Sequence, residues 1–288
     1  MTEKVLAAVM CEAAYRASKK ISEIYRGEYA VDYKDDASPV TTADLASEGI
    51  ILPYLHEKYP SASFLSEESA DSDSAERLTN EYGVFIVDPL DGTVEFVNRT
   101  GEFAVSIGFS RGHKVTAGVI AIPEKELLYY AAEGLGAYRV TFGEYERGFS
   151  FGDGERLHVS DKTEKLIITV SRSYRTAETD ALIERNRDRI GEVLTVGSCY
   201  KGCRIAEGTA DVHYRFGAKT KEWDTAAMQC IVTEAGGIFT DLDGREIAAN
   251  RADYVNRNGF IMLNRRESAL EFARSANFTA RSAASLTK

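Results

Sequence analysis

Residues 84–103 read VFIVDPLDGTVEFVNRTGEF. Val84, Phe85, Ile86 and Val87 are β-branched or aromatic and predict a buried strand. Pro89 is expected to end that strand's pairing and fix the local backbone. Gly92 permits a tight turn just beyond it. Asp88 and Asp91 are therefore held on a rigid bend at a strand end, where two carboxylates repel each other unless a positive charge sits between them. Taken alone, the stretch also fits an ordinary acidic turn.

The chain around it has 288 residues, room for one large domain or two of ordinary size. With 44% hydrophobic and 28% charged residues, it has the composition of a soluble globular protein. A net charge of -10 and a pI near 5.1 argue against a surface that coats nucleic acid. No apolar run approaches the ~18 residues that cross a bilayer, and the opening MTEKVLAAVMCEAAYR is not a signal peptide. Cys11, Cys199, Cys203 and Cys230 are too sparse for a disulfide scaffold, so free thiols and a cytoplasmic setting are expected.

Thr2 is expected to cap a helix that ends at Gly27, and Thr41 or Thr42 a second one with Asp44 in its first turn. SASFLSEES reads as a short strand ending in acids, and residues 71–81 as a polar surface segment. From Tyr82 to Val140 strands dominate: YGVFIVD, FAVSIGFSR, KVTAGVIAI and ELLYYAAEG. The second half alternates: LIITVSRS as strand, TAETDALIERNRDR as helix, VLTVGS as strand, CYKGCRIAEG as helix and ADVHYRF as strand. WDTAAMQCIVTEAGG is a helix stopped by Gly236 and Gly237, GIFTDLDGREI a hairpin and GFIMLN a last strand. ARSAASLTK is expected to fray. The fold class is thus α/β: an α+β half over residues 1–145 and an α/β half over residues 146–288, with a soft boundary in 141–155.

Acids recur where these elements meet. Glu67 and Glu68 end one strand, Asp88 and Asp91 the next, and Asp224 starts a helix in the second half. Hard divalent cations take oxygen ligands of this kind, while the scarcity of nearby histidine and cysteine disfavours zinc. Three acidic corners suggest two or three Mg²⁺ ions activating water against a phosphate.

VDPLDGT, with SEES upstream and WDTAA downstream, resembles the inositol monophosphatase superfamily of Mg²⁺-dependent, lithium-sensitive phosphatases, over nearly the whole chain from VTTAD to EAGGIFTD. The resemblance implies a layered α-β-α-β-α sandwich. By position it implies that Glu67, Asp88 and the Leu90 carbonyl hold a first metal, and Asp88, Asp91 and Asp224 a second. Glu67 with waters would hold a third, weaker ion. Thr93 would pair with Asp44 to orient and deprotonate a water, and the backbone N–H groups of Gly92 and Thr93 would meet phosphate oxygens.

DPLDGTVEFVNRTGEF, VSRSYRT, GSCYKGCRIAEG and YRFG are most similar to the 3'(2'),5'-bisphosphate nucleotidase branch, as is SEES in place of GEES. That likeness implies removal of the 3'-phosphate of adenosine 3',5'-bisphosphate, with Lys201 and Arg215 supplying charge for the second phosphate and Ser198 a hydrogen bond. Inositol 1-phosphate or a sugar phosphate is the alternative substrate on the same metal core, and a silent metal-dependent binding protein a further one. The partner is in each case a small phosphate ester, with no nucleic acid and no membrane; a homodimer is compatible with all three. Met228 departs from the WDxAAG pattern and is expected to pack in the core. The Asp-Gly at 243–244 reads as a plain turn signal rather than a calcium loop, and Cys199 and Cys203 as buried small hydrophobes. Trp223 is assigned either to a substrate base or to anchoring its helix.

Overall fold

The computed structural model describes residues 2–34, 38–70 and 74–272. In chain order its elements are α1 (Glu3–Arg26), β1 (Val31–Tyr33), β2 (Pro39–Thr41), α2 (Thr42–Lys58), β3 (Ser63–Ser66), α3 (Ser74–Thr79), β4 (Val84–Asp91), α4 (Thr93–Val97), β5 (Ala104–Arg111), β6 (Lys114–Ile122) and β7 (Leu127–Ala132). There follow β8 (Gly136–Thr141), α5 (Phe142–Glu146), β9 (Glu155–Arg156), β10 (Leu166–Ser171), α6 (Ala177–Arg185), β11 (Ile190–Val196), α7 (Tyr200–Ala206), β12 (Val212–Arg215), α8 (Glu222–Glu234), β13 (Ile238–Thr240) and β14 (Phe260–Leu263).

Two sheets organise these elements. The larger has seven strands in the order β3-β4-β5-β6-β7-β8-β9, antiparallel except for the parallel β3–β4 pair. The smaller has five, in the order β11-β10-β12-β14-β13, with β10 parallel to both of its neighbours. Side chains alternate across a strand, so each sheet needs cover on both faces. On one face of the seven-stranded sheet, Phe85, Val87, Ile107 and Val119 pack with Leu6, Met10, Ile21, Ile51 and Leu55 of α1 and α2. On the other, Ile86 and Ile120 share a core with Cys203 of α7, Ala227 and Ile231 of α8, and Phe239, Phe260 and Met262 of the smaller sheet. Leu182 of α6 covers the outer face of that sheet with Ile168, Val212 and Leu263. The layers are therefore α-β-α-β-α, as the sequence resemblance implies.

Several local expectations change. β4 runs through Pro89 to Asp91: Asp88 pairs with Ser106 and Asp91 with Ala104, three steps against two, so the proline sits in a bulge rather than at a strand end. Thr2 makes no side-chain cap on α1, whereas Thr41 caps α2 in a reciprocal box with Asp44. α6 stops at Arg185 and β11 begins at Ile190, earlier than VLTVGS predicts. GIFTDLDGREI does not form a hairpin: β13 pairs with β14, and Asp241–Arg245 closes only a turn, the Asp241 N–H donating to the Arg245 carbonyl at 2.9 Å. The segment 141–155 contains α5, and β9 beyond it still belongs to the first sheet, while α8 of the second half lies on that sheet. Within 71–81, residues 74–79 form α3, and 71–73 lie outside the described residues, as does ARSAASLTK. Among the described residues, no helix is long and apolar enough to cross a membrane.

Candidate active site

The β4 bulge delivers Asp88 and Asp91 to a cavity of about 590 Å³ between the two sheets. Ser47 of α2 donates to the Pro89 carbonyl at 2.7 Å, pinning the bend from one side, and the Leu90 N–H donates to Asp88 Oδ1 at 3.1 Å. From the other half, Asp224 stands in the first turn of α8, its Oδ2 accepting from the Lys221 N–H at 2.6 Å. Carboxylate oxygens of Asp88, Asp91 and Asp224 all lie within 4.8 Å of one another. Burial, with help from Glu67, Asp91 and Asp224, drives the Asp88 carboxyl well above the usual range; burial, then Asp91 and Glu67, pushes Asp224 up to about 8. Three carboxylates this close, Asp88 buried and Asp91 and Asp224 half-buried, require protons or cations, and an all-oxygen donor set suits a hard divalent ion. The cluster can hold a metal ion.

Gly92 follows the bulge at φ 91°, caps α4, and leaves no room for a side chain, since a Cβ there would stand 2.9 Å from Ser198 Cβ. Thr93, first in α4, donates from Oγ1 to Asp44 Oδ1 at 3.1 Å and lies 3.3 Å from the Leu90 carbonyl oxygen. Asp44 is itself fixed, its Oδ2 accepting from Thr41 N at 2.8 Å and Thr41 Oγ1 at 2.6 Å. Burial raises the Asp44 pKa, and the donors from Thr41 and Thr93 oppose that rise.

Glu67 lines the same cavity but stands outside the three-aspartate cluster. Lys34 Nζ, from just beyond β1, lies 2.9 Å from Glu67 and 2.7 Å from Glu68. Burial pushes the Glu68 carboxyl up to about 7 despite that lysine.

Ser198, Lys201 and Arg215 are nine-tenths buried and line the same cavity. Ser198 holds φ 54°, and its carbonyl accepts from Lys201 Nζ. Arg215 Nη1 donates to the Tyr174 carbonyl at 2.9 Å, with the guanidinium 5.8 Å from that residue's ring. Burial lowers the pKa of both cations.

Further residues hold these groups in place. Thr41, one of the two caps expected from the sequence, orients Asp44 through a capping box. The Cys199 backbone N–H donates to Asp91 Oδ2, joining the halves with no side-chain signature. Cys199 and Cys203 are fully buried thiols. Met228 is 3% exposed and lies against Gly202, whose Cβ would stand 2.8 Å from Met228 Cγ, while also lining the cavity. Trp223 is buried, contacts Tyr254 at 4.9 Å and lines the same space.

A five-layer α/β sandwich that gathers an acidic cluster and buried cations in one cavity has the build of a phosphate-ester hydrolase. The chain belongs to the inositol monophosphatase family, whose family model matches residues 2–278. A 3'(2'),5'-bisphosphate nucleotidase CysQ from Salmonella typhimurium is 35% identical over 256 residues, 88% of this chain and 95% of that one. Human inositol monophosphatase 1 is 34% identical over 262 residues, covering 85% and 89%. Among solved structures, CysQ from Bacteroides thetaiotaomicron superposes with a TM-score of 0.79 at 35% identity, covering 91% of this chain and 98% of that one.

Proposed function

We propose that this protein is a Mg²⁺-dependent phosphomonoesterase that removes the 3'-phosphate of adenosine 3',5'-bisphosphate. One observation carries the reading: the three-aspartate cluster shares one cavity with two buried cations, Lys201 and Arg215. A substrate with a phosphate at each end matches such a space better than a monophosphate does. The similarity to CysQ proteins supports the same choice.

Asp88, Asp91 and Asp224 would hold Mg²⁺, with the Leu90 carbonyl and Glu67 supplying further oxygens; two or three ions are compatible with this donor set. Bound there, the ions supply Lewis acidity that acidifies water and offsets charge on the leaving oxygen. The chain's own residues do the rest. Thr93 Oγ1, its proton directed to Asp44, presents a lone pair that accepts a proton from an attacking water as its own proton passes to the Asp44 carboxylate. Thr41 keeps Asp44 in that orientation through two hydrogen bonds. The turn at Gly92 brings backbone N–H groups to phosphate oxygens where no side chain could fit. Lys201 and Arg215 bind the second phosphate, and Ser198 supplies a hydroxyl beside them. Four free, buried thiols support a reducing, cytoplasmic setting.

The pocket assignment is tested by Lys201→Ala and Arg215→Ala. Each is expected to lower kcat/KM for adenosine 3',5'-bisphosphate by about 10–100-fold, the size of a lost charged contact. Turnover of inositol 1-phosphate should change far less. Equal losses on both substrates would remove the second-phosphate role.

A further inference from the structure

His213 lies on β12 two residues before Arg215, on the same strand face, and lines the active-site cavity. It is 2% exposed and packs against Phe260 at 5.6 Å. Its Nδ1 stands 2.9 Å from the Thr169 carbonyl, which can only accept, so Nδ1 carries the ring proton. The ring is neutral: burial, then Lys201 and Arg215, pushes its pKa down to about 3. Nε2 is consequently a bare acceptor, and among the described residues it is buried without a hydrogen-bond partner. Arg215 Nε, in the same lining, is likewise buried without a partner among the described residues. Buried polar atoms without partners are uncommon, and two in one cavity mark groups that a ligand completes.

A lone acceptor beside two cations sorts the parts of a substrate by chemistry. Phosphate oxygens at neutral pH only accept, so they go to Lys201 and Arg215 and are turned away by Nε2. Only a hydroxyl or an amino group can donate to it. We propose that His213 is a specificity-determining residue whose Nε2 accepts a hydrogen bond from a hydroxyl or amino group of the nucleoside that carries the phosphates. The assignment rests on the bisphosphate-nucleotidase reading given above. In adenosine 3',5'-bisphosphate the two candidate donors are the ribose 2'-hydroxyl and the adenine amino group. Binding through either leaves no buried acceptor unmet, whereas an analogue without that donor strands it.

The test compares kcat/KM with Mg²⁺ for wild type, His213→Phe and His213→Gln on three substrates. These are adenosine 3',5'-bisphosphate, its 2'-deoxy analogue, and purine riboside 3',5'-bisphosphate, which lacks the amino group. Wild type is expected to favour the parent over one analogue by roughly 10-fold or more, the size of one hydrogen bond met or stranded. In His213→Phe, which keeps the ring's bulk, that ratio should fall to about 1; in His213→Gln, which restores an acceptor, part of it should return. The analogue that loses its disadvantage identifies the donor. Absence of discrimination in wild type, or the same ratios in wild type and His213→Phe, would overturn the assignment while the nucleotidase reading stands. If wild type released no phosphate from any of the three with Mg²⁺, both would fall.

Discussion

Asp91 carries two duties at once: its Oδ2 accepts from the Cys199 N–H across the two halves, and it stands with Asp88 and Asp224 in the acidic cluster. Removing its charge should separate chemistry from stability. Asp91→Asn is expected to lower kcat by more than the roughly 100-fold that changes outside the ligand shell cost. In EDTA its melting temperature should not fall, because like-charge repulsion with Asp88 and Asp224 is relieved. Phosphate release and calorimetry on the same preparation check both halves of that expectation, and near-full activity would contradict the cluster's role. Asp88, Asp91 and Asp224 were legible in the sequence because each sits in a short motif at an element boundary. His213 was not: strand alternation places it beside Arg215, but its empty Nε2 depends on Thr169 and Phe260, distant in the chain. Lys34, which faces Glu67 and Glu68, was equally hidden, since nothing local says that the β1–β2 segment comes back to the strand end.

At the scale of elements, the site depends on how closely α8 lies on the seven-stranded sheet. Gly108 on β5 and Gly118 on β6 make that approach possible; a Cβ on Gly118 would stand 2.7 Å from the Ala227 carbonyl oxygen and 2.9 Å from Cys230 Cβ. Gly118→Val should therefore destabilise by about 1–3 kcal/mol, as overpacking does, and should lower activity too, because Asp224 rides on the displaced helix. Gly49, inside α2 with nothing within 4 Å of an added Cβ, is the control. Gly49→Ala should stabilise by about 0.5–1 kcal/mol with turnover retained. Denaturant titration of both variants measures this, and a Gly118→Val protein as stable as wild type would contradict the close packing. Long periodic segments such as α1, β5 and β6 were readable from pattern alone. The β4 bulge was not, because Pro89 signals a strand end locally and only pairing with β5 carries the strand on to Asp91. The hairpin expected at GIFTDLDGREI failed for a similar reason: Asp-Gly does mark a turn there, but β13 finds its partner in β14.

Over the whole molecule, the acidic cluster ties stability to pH. Asp88 and Asp224 titrate higher in the folded protein than in the unfolded chain, where a carboxyl titrates near 4. Between about pH 4 and pH 8 the folded state without divalent ions thus binds more protons than the unfolded one, and its stability falls as pH rises. Glu68, raised to about 7, acts in the same direction. In EDTA the melting temperature should drop from pH 5.5 to pH 8.5 by at least about 3 °C, what roughly 1 kcal/mol does in a chain of this size. Added Mg²⁺ should recover more at the higher pH, because the ions compete with those protons. A melting temperature in EDTA that rises over that range would contradict the burial of the cluster. The order of the five layers was legible because three motifs, in sequence order, carried a resemblance across the chain. The continuity of the core between the halves was not, since Gly- and charge-rich residues 141–155 look like a boundary until β9 rejoins the first sheet.

The central claim is a metal-dependent phosphatase with a pocket for a second phosphate. It is tested most directly by phosphate release from adenosine 3',5'-bisphosphate and from inositol 1-phosphate, side by side, in Mg²⁺ and in EDTA. The account predicts Mg²⁺-dependent release that strongly favours the bisphosphate and disappears in EDTA. Preference for inositol 1-phosphate would contradict the Lys201 and Arg215 pocket, and release that persists in EDTA would contradict the metal centre itself.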